Sequence, residues 1–160
     1  MNKAVFLDRD GVLNKDNASY TFRIEDFVFT DGIFEALKIL HDKNYLLIVI
    51  SNQAGIARNV YTHQDVEQVH NYMLKQFSLK DIRITEIYYC PHYTETGRCI
   101  CRKPDSLLLE KAIARFDIDP FQSYFIGDRD RDIEAGEKVH VKGIKVESDT
   151  DLKTILHLIQ

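Results

Sequence analysis

The sequence predicts an α/β protein with a three-layer, Rossmann-like arrangement around a central parallel sheet. Short apolar runs alternate along the chain with longer segments whose apolar residues recur at helical spacing. The apolar runs are continuous, which is typical of strands that are covered on both faces. Alternation of strand and helix predicts parallel pairing, because each helix carries the chain back to the start of the next strand.

Five apolar runs predict the strands. The run YLLIVIS, residues 45–51, is too short for a helix and has consecutive β-branched residues at Ile48, Val49 and Ile50. The predicted strands, in chain order, are residues 3–8, 45–51, 84–90, 123–128 and 141–146.

Five segments between and after these runs predict helices. Thr62 is a candidate N-cap for the second helix and Asp105 for the third, because both side chains accept hydrogen bonds from free helix amides. The predicted helices are residues 33–43, 62–77, 105–117, 131–139 and 149–159. Since no repeat, linker or low-complexity tract separates them, residues 1–160 are expected to form a single domain.

The composition excludes several classes of function. The 160 residues are 44% hydrophobic and 29% charged, as in soluble globular proteins, and the net charge of −4 offers no basic field to nucleic acid or to an anionic membrane. No apolar run approaches the roughly 20 residues of a spanning helix, and the first residues lack a signal-peptide pattern. We therefore expect a cytoplasmic protein, and a monomer because no oligomerisation heptad is present.

Carboxylates follow two of the predicted strands. Asp8 and Asp10 follow the first in FLDRDG, and Asp128, Asp130 and Asp132 follow the fourth in IGDRDRD. The first pair alone would fit a polar turn equally well, but the carboxyl ends of parallel strands share one edge of the sheet. Carboxylates that converge there repel one another unless a cation lies among them, and Mg²⁺ prefers oxygen ligands. The acidic pattern therefore predicts a magnesium site.

Two further strand-end features suit a phosphate group. Ser51 ends the second strand ahead of NQAGIAR, and Lys103 lies in CRKPDS just before a predicted helix. Taken singly, Ser51 fits a cap, and Lys103, like Arg102, fits a solvated surface residue. Beside the carboxylates, a hydroxyl, backbone amides and a lysine would bind phosphate next to Mg²⁺. A carboxylate could then attack phosphorus and form an aspartyl-phosphate.

All three cysteines of the chain lie in one short loop, CPHYTETGRCIC. Cys90, His92, Cys99 and Cys101 make a closed set of one nitrogen and three sulfur ligands, which suits a structural Zn²⁺ and leaves no position open for catalysis. Three buried thiols and a chance histidine are the alternative, but the proline, glycine and polar residues indicate a loop. We expect Zn²⁺ to shape the substrate pocket, because the last ligand lies two residues before Lys103.

Four stretches of the chain resemble the motifs of the haloacid dehalogenase (HAD) superfamily of phosphatases: FLDRDGVLN, ISNQAGIAR, CRKP and IGDRDRDIEAG. The resemblance covers nearly the whole chain and implies a HAD-like fold that hydrolyses phosphate monoesters. It implies that Asp8 is the nucleophile and a Mg²⁺ ligand. Asp10 would be the general acid and base, and a Mg²⁺ ligand through its backbone carbonyl.

The resemblance also implies roles at the other strand ends. Ser51 and Lys103 would hold the transferring phosphoryl group. Asp128 would complete the Mg²⁺ site. Asp132 would support that site through the residues that bind the metal, without binding it directly.

The zinc loop followed by CRKP resembles two bacterial groups of this superfamily. They are the D-glycero-D-manno-heptose 1,7-bisphosphate 7-phosphatases of lipopolysaccharide-precursor synthesis and the histidinol-phosphate phosphatases. SNQAGIAR and IYYCPH favour the heptose group, whereas CRKPDSLLL and the short zinc loop favour the histidinol group. The expected substrate is therefore a small phosphorylated metabolite, with heptose bisphosphate ahead of histidinol phosphate.

Too few residues separate the first two motifs for a large cap domain, so we expect an open site. In the heptose group the loop after the first motif contacts substrate, and Arg102 offers a planar fork for a second phosphate or a sugar hydroxyl. The substrate-binding candidates are Asp16, Asn17, Ala18, Ser19, Ser51, Asn52, Gln53, Ala54, Arg102, Lys103 and Arg129.

Proteins of other classes fit parts of this pattern. A signalling receiver module also phosphorylates an aspartate at a sheet edge, but it explains neither Asp10 nor the zinc loop. A zinc-stabilised binding module would hold Zn²⁺ without hydrolysing any ester. A DNA-end phosphatase is disfavoured by the net charge of −4 and the lack of a basic-aromatic stripe.

Overall fold

The computed structural model describes all of residues 1–160, and its centre is a five-stranded sheet in which every pairing is parallel. The strand order across the sheet is β3-β2-β1-β4-β5. The strands are β1 Lys3–Leu7, β2 Tyr45–Asn52, β3 Ile84–Cys90, β4 Tyr124–Gly127 and β5 Lys142–Lys145. All five lie within two residues of the predicted bounds, which confirms the predicted strands.

Four α-helices connect the strands: α1 Ile33–Asp42, α2 His63–Ser78, α3 Leu107–Arg115 and α4 Asp130–Glu137. Thr62 caps α2 as predicted, since its side chain accepts from the Asp65 amide and the Asp65 carboxylate accepts from the Thr62 amide. The third helix, however, begins at Leu107 and not at Asp105. The Asp105 carboxylate instead pairs with Lys138, 3.4 Å away.

The predicted helix over 149–159 is wrong in type. Residues Leu152–Leu158 form a 3₁₀ helix, and the side chain of its N-cap, Asp151, accepts from the Lys153 amide. Leu152 and Ile155 pack towards the core, and their spacing of three residues matches the period of a 3₁₀ helix. Two shorter 3₁₀ turns, Ile24–Asp26 and Pro120–Gln122, lie elsewhere in the chain.

The sheet is covered on both faces, as the continuous apolar strands predict. On one face Val5, Leu7 and Val49 pack against α1, α2 and the C-terminal 3₁₀ helix. On the other, Phe6 and Ile50 pack against α3 and α4. Successive strand residues alternate between the two clusters because strand side chains point to opposite faces.

The strand order positions the site. From β1 the chain builds β2 and β3 on one side, then returns to place β4 and β5 on the other side of β1. The order therefore reverses between β1 and β4, and crevices of α/β sheets lie at such reversals. Asp8 follows β1 and Asp128 follows β4, so both stand at this point.

Between β1 and β2 the chain holds only loops, one 3₁₀ turn and α1, which confirms the expectation of no large cap domain. None of the helices combines the length and apolar character that crossing a membrane would require.

Candidate active site

Asp8, Lys103 and Asp132 form a buried cluster at the carboxyl edge of the sheet. The Lys103 Nζ lies 2.8 Å from Asp8 Oδ1 and 2.7 Å from Asp132 Oδ1, and it donates to the Ile50 carbonyl at 2.7 Å. Burial by itself would lower the pKa of Lys103, but the two carboxylates outweigh it and raise that pKa. Lys103 is therefore a fixed positive charge directly behind Asp8.

The backbone of Lys103 is held by the loop after β2. Its amide donates to Asn52 Oδ1 at 3.1 Å, and its carbonyl accepts from Asn52 Nδ2 at 3.2 Å. Asn52 thus joins the end of β2 to the segment that carries Lys103.

Asp8 is 5% exposed, and burial raises its pKa to about 7 although Lys103 acts to lower it. A cation next to this carboxylate would favour its ionised form. The side chains present fit such a cation. Carboxylate oxygens of Asp8, Asp128 and Asp132 lie within 4.8 Å of one another, and Asp128 Oδ1 is buried without a hydrogen-bond partner.

Both oxygens of Asp132 have a neighbour in the protein, although Oδ1, which is in ion-pair contact with Lys103, forms no hydrogen bond. One of its oxygens pairs with Lys103, and the other accepts from the Arg129 amide at 3.0 Å. The oxygens of Asp8 and Asp128 are therefore better placed to face a metal, while Asp132 fixes Lys103.

Asp130 does not join the cluster, contrary to the expectation that it crowds with Asp128 and Asp132. Its carboxylate pairs with Lys145 at 2.6 Å, and its side chain is 78% exposed. As the first residue of α4, Asp130 projects from the helix in a different direction from Asp132.

The Asp10 carboxylate faces hydrogen-bond donors instead of the carboxylate cluster. Its Oδ1 accepts from Arg9 at 2.9 Å and from Asn14 at 3.0 Å, and its Oδ2 accepts from Gln53 at 3.1 Å. Burial would raise the pKa of Asp10, but the charge of Arg9 and these hydrogen bonds together lower it below its ordinary value. Any metal contact of Asp10 would accordingly come from its backbone carbonyl, as the resemblance implies.

Gly11 allows the loop after β1 to pass close to Asp128. Its φ is +85°, and a Cβ at this position would lie 2.5 Å from Asp128 Oδ2. Asp128 Oδ2 also accepts from Ser148 at 2.8 Å and lies 3.4 Å from Arg129 Nε.

A polar cavity of about 390 Å³ opens in front of the carboxylates, and we call it the site cavity. It brings together many of the residues that the sequence predicts for the site: Asp8, Asp10, Asp16, Ala18, Ser19, Asn52, Gln53, Asp128 and Arg129. Arg129 reaches across it to Asp16 at 3.0 Å. The wall of the site cavity is therefore formed by the loops after β1, β2 and β4.

Other predicted binding residues lie outside the site cavity. Asn17 is exposed, Ser51 and Ala54 are buried, and none of the three lines the site cavity. Arg102 and Lys103 line a neighbouring cavity of about 560 Å³, which we call the arginine cavity because Arg98, Arg102 and Arg131 border it.

The wall of the site cavity also includes three residues that the sequence motifs do not single out, Tyr20, Arg58 and Arg131. Arg58 closes the NQAGIAR motif and Arg131 lies within IGDRDRD, so proximity to motifs was an available signal. Arg58 donates to the Tyr20 hydroxyl at 2.9 Å, and its guanidinium lies 5.0 Å from the ring centre of Tyr93 in the cysteine loop.

Cys90, His92, Cys99 and Cys101 converge as the loop sequence predicts. Cys90 Sγ lies 3.7 Å from Cys99 Sγ, 3.1 Å from Cys101 Sγ and 3.4 Å from His92 Nδ1. A tetrahedral zinc with its usual bond lengths separates two sulfurs by about 3.8 Å and nitrogen from sulfur by about 3.6 Å. The four side chains therefore fit a structural Zn²⁺.

Fold and site together define a phosphatase of the HAD-like class. A family model described as HAD-hydrolase-like matches residues 100–158. The D,D-heptose 1,7-bisphosphate phosphatase from B. bronchiseptica, crystallised with magnesium and phosphate, has a similar structure. Its TM-score is 0.86 at 26% identity, with 97% of this chain and 86% of that chain covered.

The relatives by sequence narrow the family. D-glycero-α-D-manno-heptose-1,7-bisphosphate 7-phosphatase of Campylobacter jejuni is 49% identical over 134 residues, which cover 84% of this chain and 76% of the relative. D-glycero-β-D-manno-heptose-1,7-bisphosphate 7-phosphatase of Helicobacter pylori is 41% identical, covering 96% of this chain and 88% of the relative. This chain belongs to the D-glycero-D-manno-heptose-1,7-bisphosphate 7-phosphatase family.

Proposed function

We propose that this phosphatase removes the 7-phosphate of D-glycero-D-manno-heptose 1,7-bisphosphate through an aspartyl-phosphate on Asp8. The observation that carries the proposal is the 49% identity to a relative of that name, combined with the Asp8–Lys103 contact of 2.8 Å. The buried lysine supplies positive charge at the point where a phosphoryl group would meet Asp8.

In the first half-reaction, Asp8 Oδ attacks phosphorus while the bond from phosphorus to the sugar oxygen breaks. Asp10 gives its proton to that leaving oxygen, so the sugar departs as an alcohol. The negative charge of the bound phosphate favours the protonated form of Asp10, because like charges raise the pKa of a neighbouring carboxyl.

In the second half-reaction, a water oxygen attacks phosphorus and its proton passes to Asp10. The bond from Asp8 to phosphorus breaks, inorganic phosphate leaves and Asp8 returns to a carboxylate. The donors around Asp10 favour the ionised form that accepts this proton.

Two metals fit the donor sets of the chain. Asp8, Asp128 and the Asp10 carbonyl would hold Mg²⁺, which neutralises charge on the transferring phosphoryl group when bound. Cys90, His92, Cys99 and Cys101 would hold Zn²⁺, which fixes the loop ahead of Lys103 and takes no part in the chemistry. Ser51, which is 1% exposed like Lys103, would hold the transferring phosphoryl group with that lysine, and its Oγ accepts from Gln53 Nε2 at 2.8 Å.

The arginine cavity suits the second phosphate of a bisphosphate. Arg98, Arg102 and Arg131 border it and form no ion pair, whereas Arg129 is engaged by Asp16 and Asp128. The only carboxylate on its wall, Asp105, is paired with Lys138. Arg131 borders both cavities, so a sugar with phosphates at its two ends could bridge them.

The remaining binding residues would contact the sugar. Asp16, Ala18 and Ser19 line the site cavity from the loop after β1, and Asn52 and Gln53 line it from the loop after β2. Asn17 and Ala54, which flank these residues in the chain, would contact only a substrate that extends beyond the cavity or shifts its wall. Arg129 joins the loop after β4 to Asp16 at 3.0 Å and would contact the sugar beside it.

The decisive measurement is kcat/KM with Mg²⁺ for heptose 1,7-bisphosphate against histidinol phosphate, with Asp8→Asn as the blank. We expect a preference of about a hundredfold for the bisphosphate, the effect of two well-placed charge contacts. A preference for histidinol phosphate would overturn the proposal and make the CRKPDSLLL stretch the better guide to specificity. The α and β anomers of the bisphosphate should be assayed separately, because the relatives include phosphatases named for each anomer.

The arginine cavity has its own test. Arg102 borders the arginine cavity and not the site cavity, so Arg102→Ala should lower kcat/KM for the bisphosphate about tenfold, while kcat/KM for a heptose 7-monophosphate falls much less. Lys142→Ala, an exposed cation remote from both cavities, is the matched control. Equal losses on both substrates would contradict a second-phosphate site.

A cytoplasmic location, a monomeric state and a single domain over residues 1–160 complete the proposal. Size-exclusion chromatography with light scattering would test the monomer, whose mass is 18.6 kDa.

A further inference from the structure

The first oxygen of Asp10 is held by a buried arginine. Arg9 is 0% exposed, and its Nη2 donates to Asp10 Oδ1 at 2.9 Å and to the Thr21 carbonyl at 2.6 Å. Its Nη1 lies 3.3 Å from His70 Nε2 on α2. Burial and the charge of Arg9 lower the pKa of His70 to about 3, so His70 is neutral and accepts this hydrogen bond.

The second oxygen of Asp10 is held by a buried amide. Gln53 Nε2 donates to Asp10 Oδ2 at 3.1 Å and to Ser51 Oγ at 2.8 Å. The Tyr61 hydroxyl donates to Gln53 Oε1 at 2.6 Å, and Tyr61 is 5% exposed. Because a hydroxyl donor occupies the amide oxygen, the amide nitrogen is the end that faces the carboxylate.

The two sets of contacts on Asp10, one through Arg9 and the other through Gln53 and Tyr61, also reach the loop at residues 20–22, which borders the site cavity. Arg9 contacts it at the Thr21 carbonyl, and the Tyr61 ring stacks on Phe22 with a centroid distance of 5.1 Å and an interplanar angle of 16°. Tyr20, in the cavity wall, meets the Tyr61 ring edge-on at 5.5 Å. The position of this loop and the position of Asp10 are therefore linked by direct contacts.

We propose that Tyr61 and His70 are positioning residues, which act through Gln53 and Arg9 to hold Asp10 in the geometry for proton transfer. The proposal rests on the proposed role of Asp10 as general acid and base. Neither Tyr61 nor His70 touches the site cavity, so neither contacts substrate.

The Tyr61 hydroxyl decides which way the Gln53 amide faces. Without it, Gln53 Oε1 loses its donor and the amide can rotate, which turns an oxygen towards the Asp10 carboxylate. Two acceptors then face each other, and Asp10 moves away from the leaving oxygen. Small displacements of this kind cost rate without weakening binding.

The test is Tyr61→Phe, which removes one hydroxyl and keeps the ring stacking. We expect kcat/KM for the sugar phosphate to fall about tenfold with KM nearly unchanged. For p-nitrophenyl phosphate, kcat/KM should fall less than about twofold. The difference arises because nitrophenolate leaves without a proton, whereas a sugar alkoxide needs one. A structural defect would lower kcat/KM for both substrates by the same factor.

Tyr45→Phe is the matched control. Tyr45 is also a buried tyrosine, 2% exposed, whose hydroxyl bonds to the Gln160 carbonyl at the opposite end of β2. It should leave the ratio of the two substrates at the wild-type value. Equal losses on the two substrates in Tyr61→Phe, or no loss on either, would overturn the proposal for Tyr61.

His70 is tested by a conservative pair of variants. Glutamine retains an acceptor for Arg9 and leucine does not, so His70→Gln should keep most of the sugar-phosphate activity and His70→Leu should lose about tenfold. Equal activity of the two variants on the sugar phosphate, with both folded by circular dichroism, would overturn the role of His70.

Asp10→Asn separates this proposal from the role on which it rests. If Asp10→Asn fails to widen the gap between sugar and aryl phosphates, the general acid role itself is wrong. If Asp10→Asn widens the gap and Tyr61→Phe does not, only the positioning proposal fails.

Discussion

At the scale of single residues, the proposed chemistry depends on the Asp8 carboxylate, which lies 2.8 Å from the buried Lys103 Nζ, acting as the nucleophile. Asp8→Asn should lower kcat at least about 10³-fold, because an amide cannot form the acyl-phosphate. The matched control is Asp130→Asn at the same edge of the sheet, whose carboxylate pairs with Lys145 and faces solvent. Wild-type turnover in the control and residual turnover in Asp8→Asn would support the assignment. Comparable activity of both would refute it.

Lys103 has a second role in stability. With no solvent exposure and two carboxylate partners, its removal leaves Asp8 and Asp132 buried without their cation. Lys103→Met should therefore lower the free energy of unfolding by about 3 kcal/mol, measured by urea titration. Lys138→Met, which breaks an exposed pair with Asp105, should cost less than about 1 kcal/mol.

The sequence predicts which residue types stand at the strand ends but not the direction of each carboxylate. Asp128, Asp130 and Asp132 are two residues apart and look equivalent in IGDRDRD. The start of α4 after Arg129 rotates Asp130 outward to Lys145 and Asp132 inward to Lys103. Such rotation depends on where a helix begins, which sequence patterns give only to within a few residues.

At the scale of elements, the zinc loop is expected to hold Arg102 at the arginine cavity. Arg102 follows the proposed zinc ligand Cys101, and its Nη1 donates to the carbonyl of His92, another proposed ligand, at 3.3 Å. Zinc binding can contribute on the order of 10 kcal/mol to folding the loop.

We predict that removing Zn²⁺ raises KM for the bisphosphate several-fold, lowers Tm and changes kcat little. Selective chelation followed by Mg²⁺ in excess separates the two metals, and Cys99→Ser gives the same comparison without a chelator. An unchanged fold, KM and kcat after verified zinc loss would show that the loop has no such role.

The packing of α2 against Arg9 gives stability a dependence on pH. His70 has a folded pKa of about 3 against an ordinary value of 6.5, with burial as the main cause. The unfolded chain therefore binds more protons between these values, so stability is full above pH 6.5 and falls as the pH drops towards 3.

We predict a contribution of up to about 1.4 kcal/mol per pH unit across that window, which His70→Gln removes. Urea unfolding between pH 7 and 4.5 would measure it, with the exposed His140→Gln as control. Parallel slopes for wild type and His70→Gln would contradict the expectation.

At the scale of the whole molecule, the proposed magnesium site would join the two halves of the sheet. Asp8 follows β1 and Asp128 follows β4, on either side of the reversal in strand order. A cation bound by both should stabilise the native state by about 1.4 kcal/mol at ten times its dissociation constant. Thermal unfolding with and without Mg²⁺ would detect this shift.

Asp128→Asn should abolish the Mg²⁺-dependent rise in Tm, while Asp130→Asn should keep it. If Asp128→Asn kept the full Mg²⁺-dependent rise in Tm, the metal would bind somewhere other than the proposed ligands.

The sequence by itself determined the strands, the layers, the absence of a large cap and the acidic and cysteine motifs. These follow from local patterns: continuous apolar runs, ligand spacing and residues at strand ends. Only the tertiary structure decided which distant groups meet, such as Arg9 with His70 and Gln53 with Asp10. It also decided that Arg98 and Arg131 share a cavity with Arg102. Side-chain direction depends on how loops and helices pack, and single-sequence periodicity carries no signal for contacts between residues tens of positions apart.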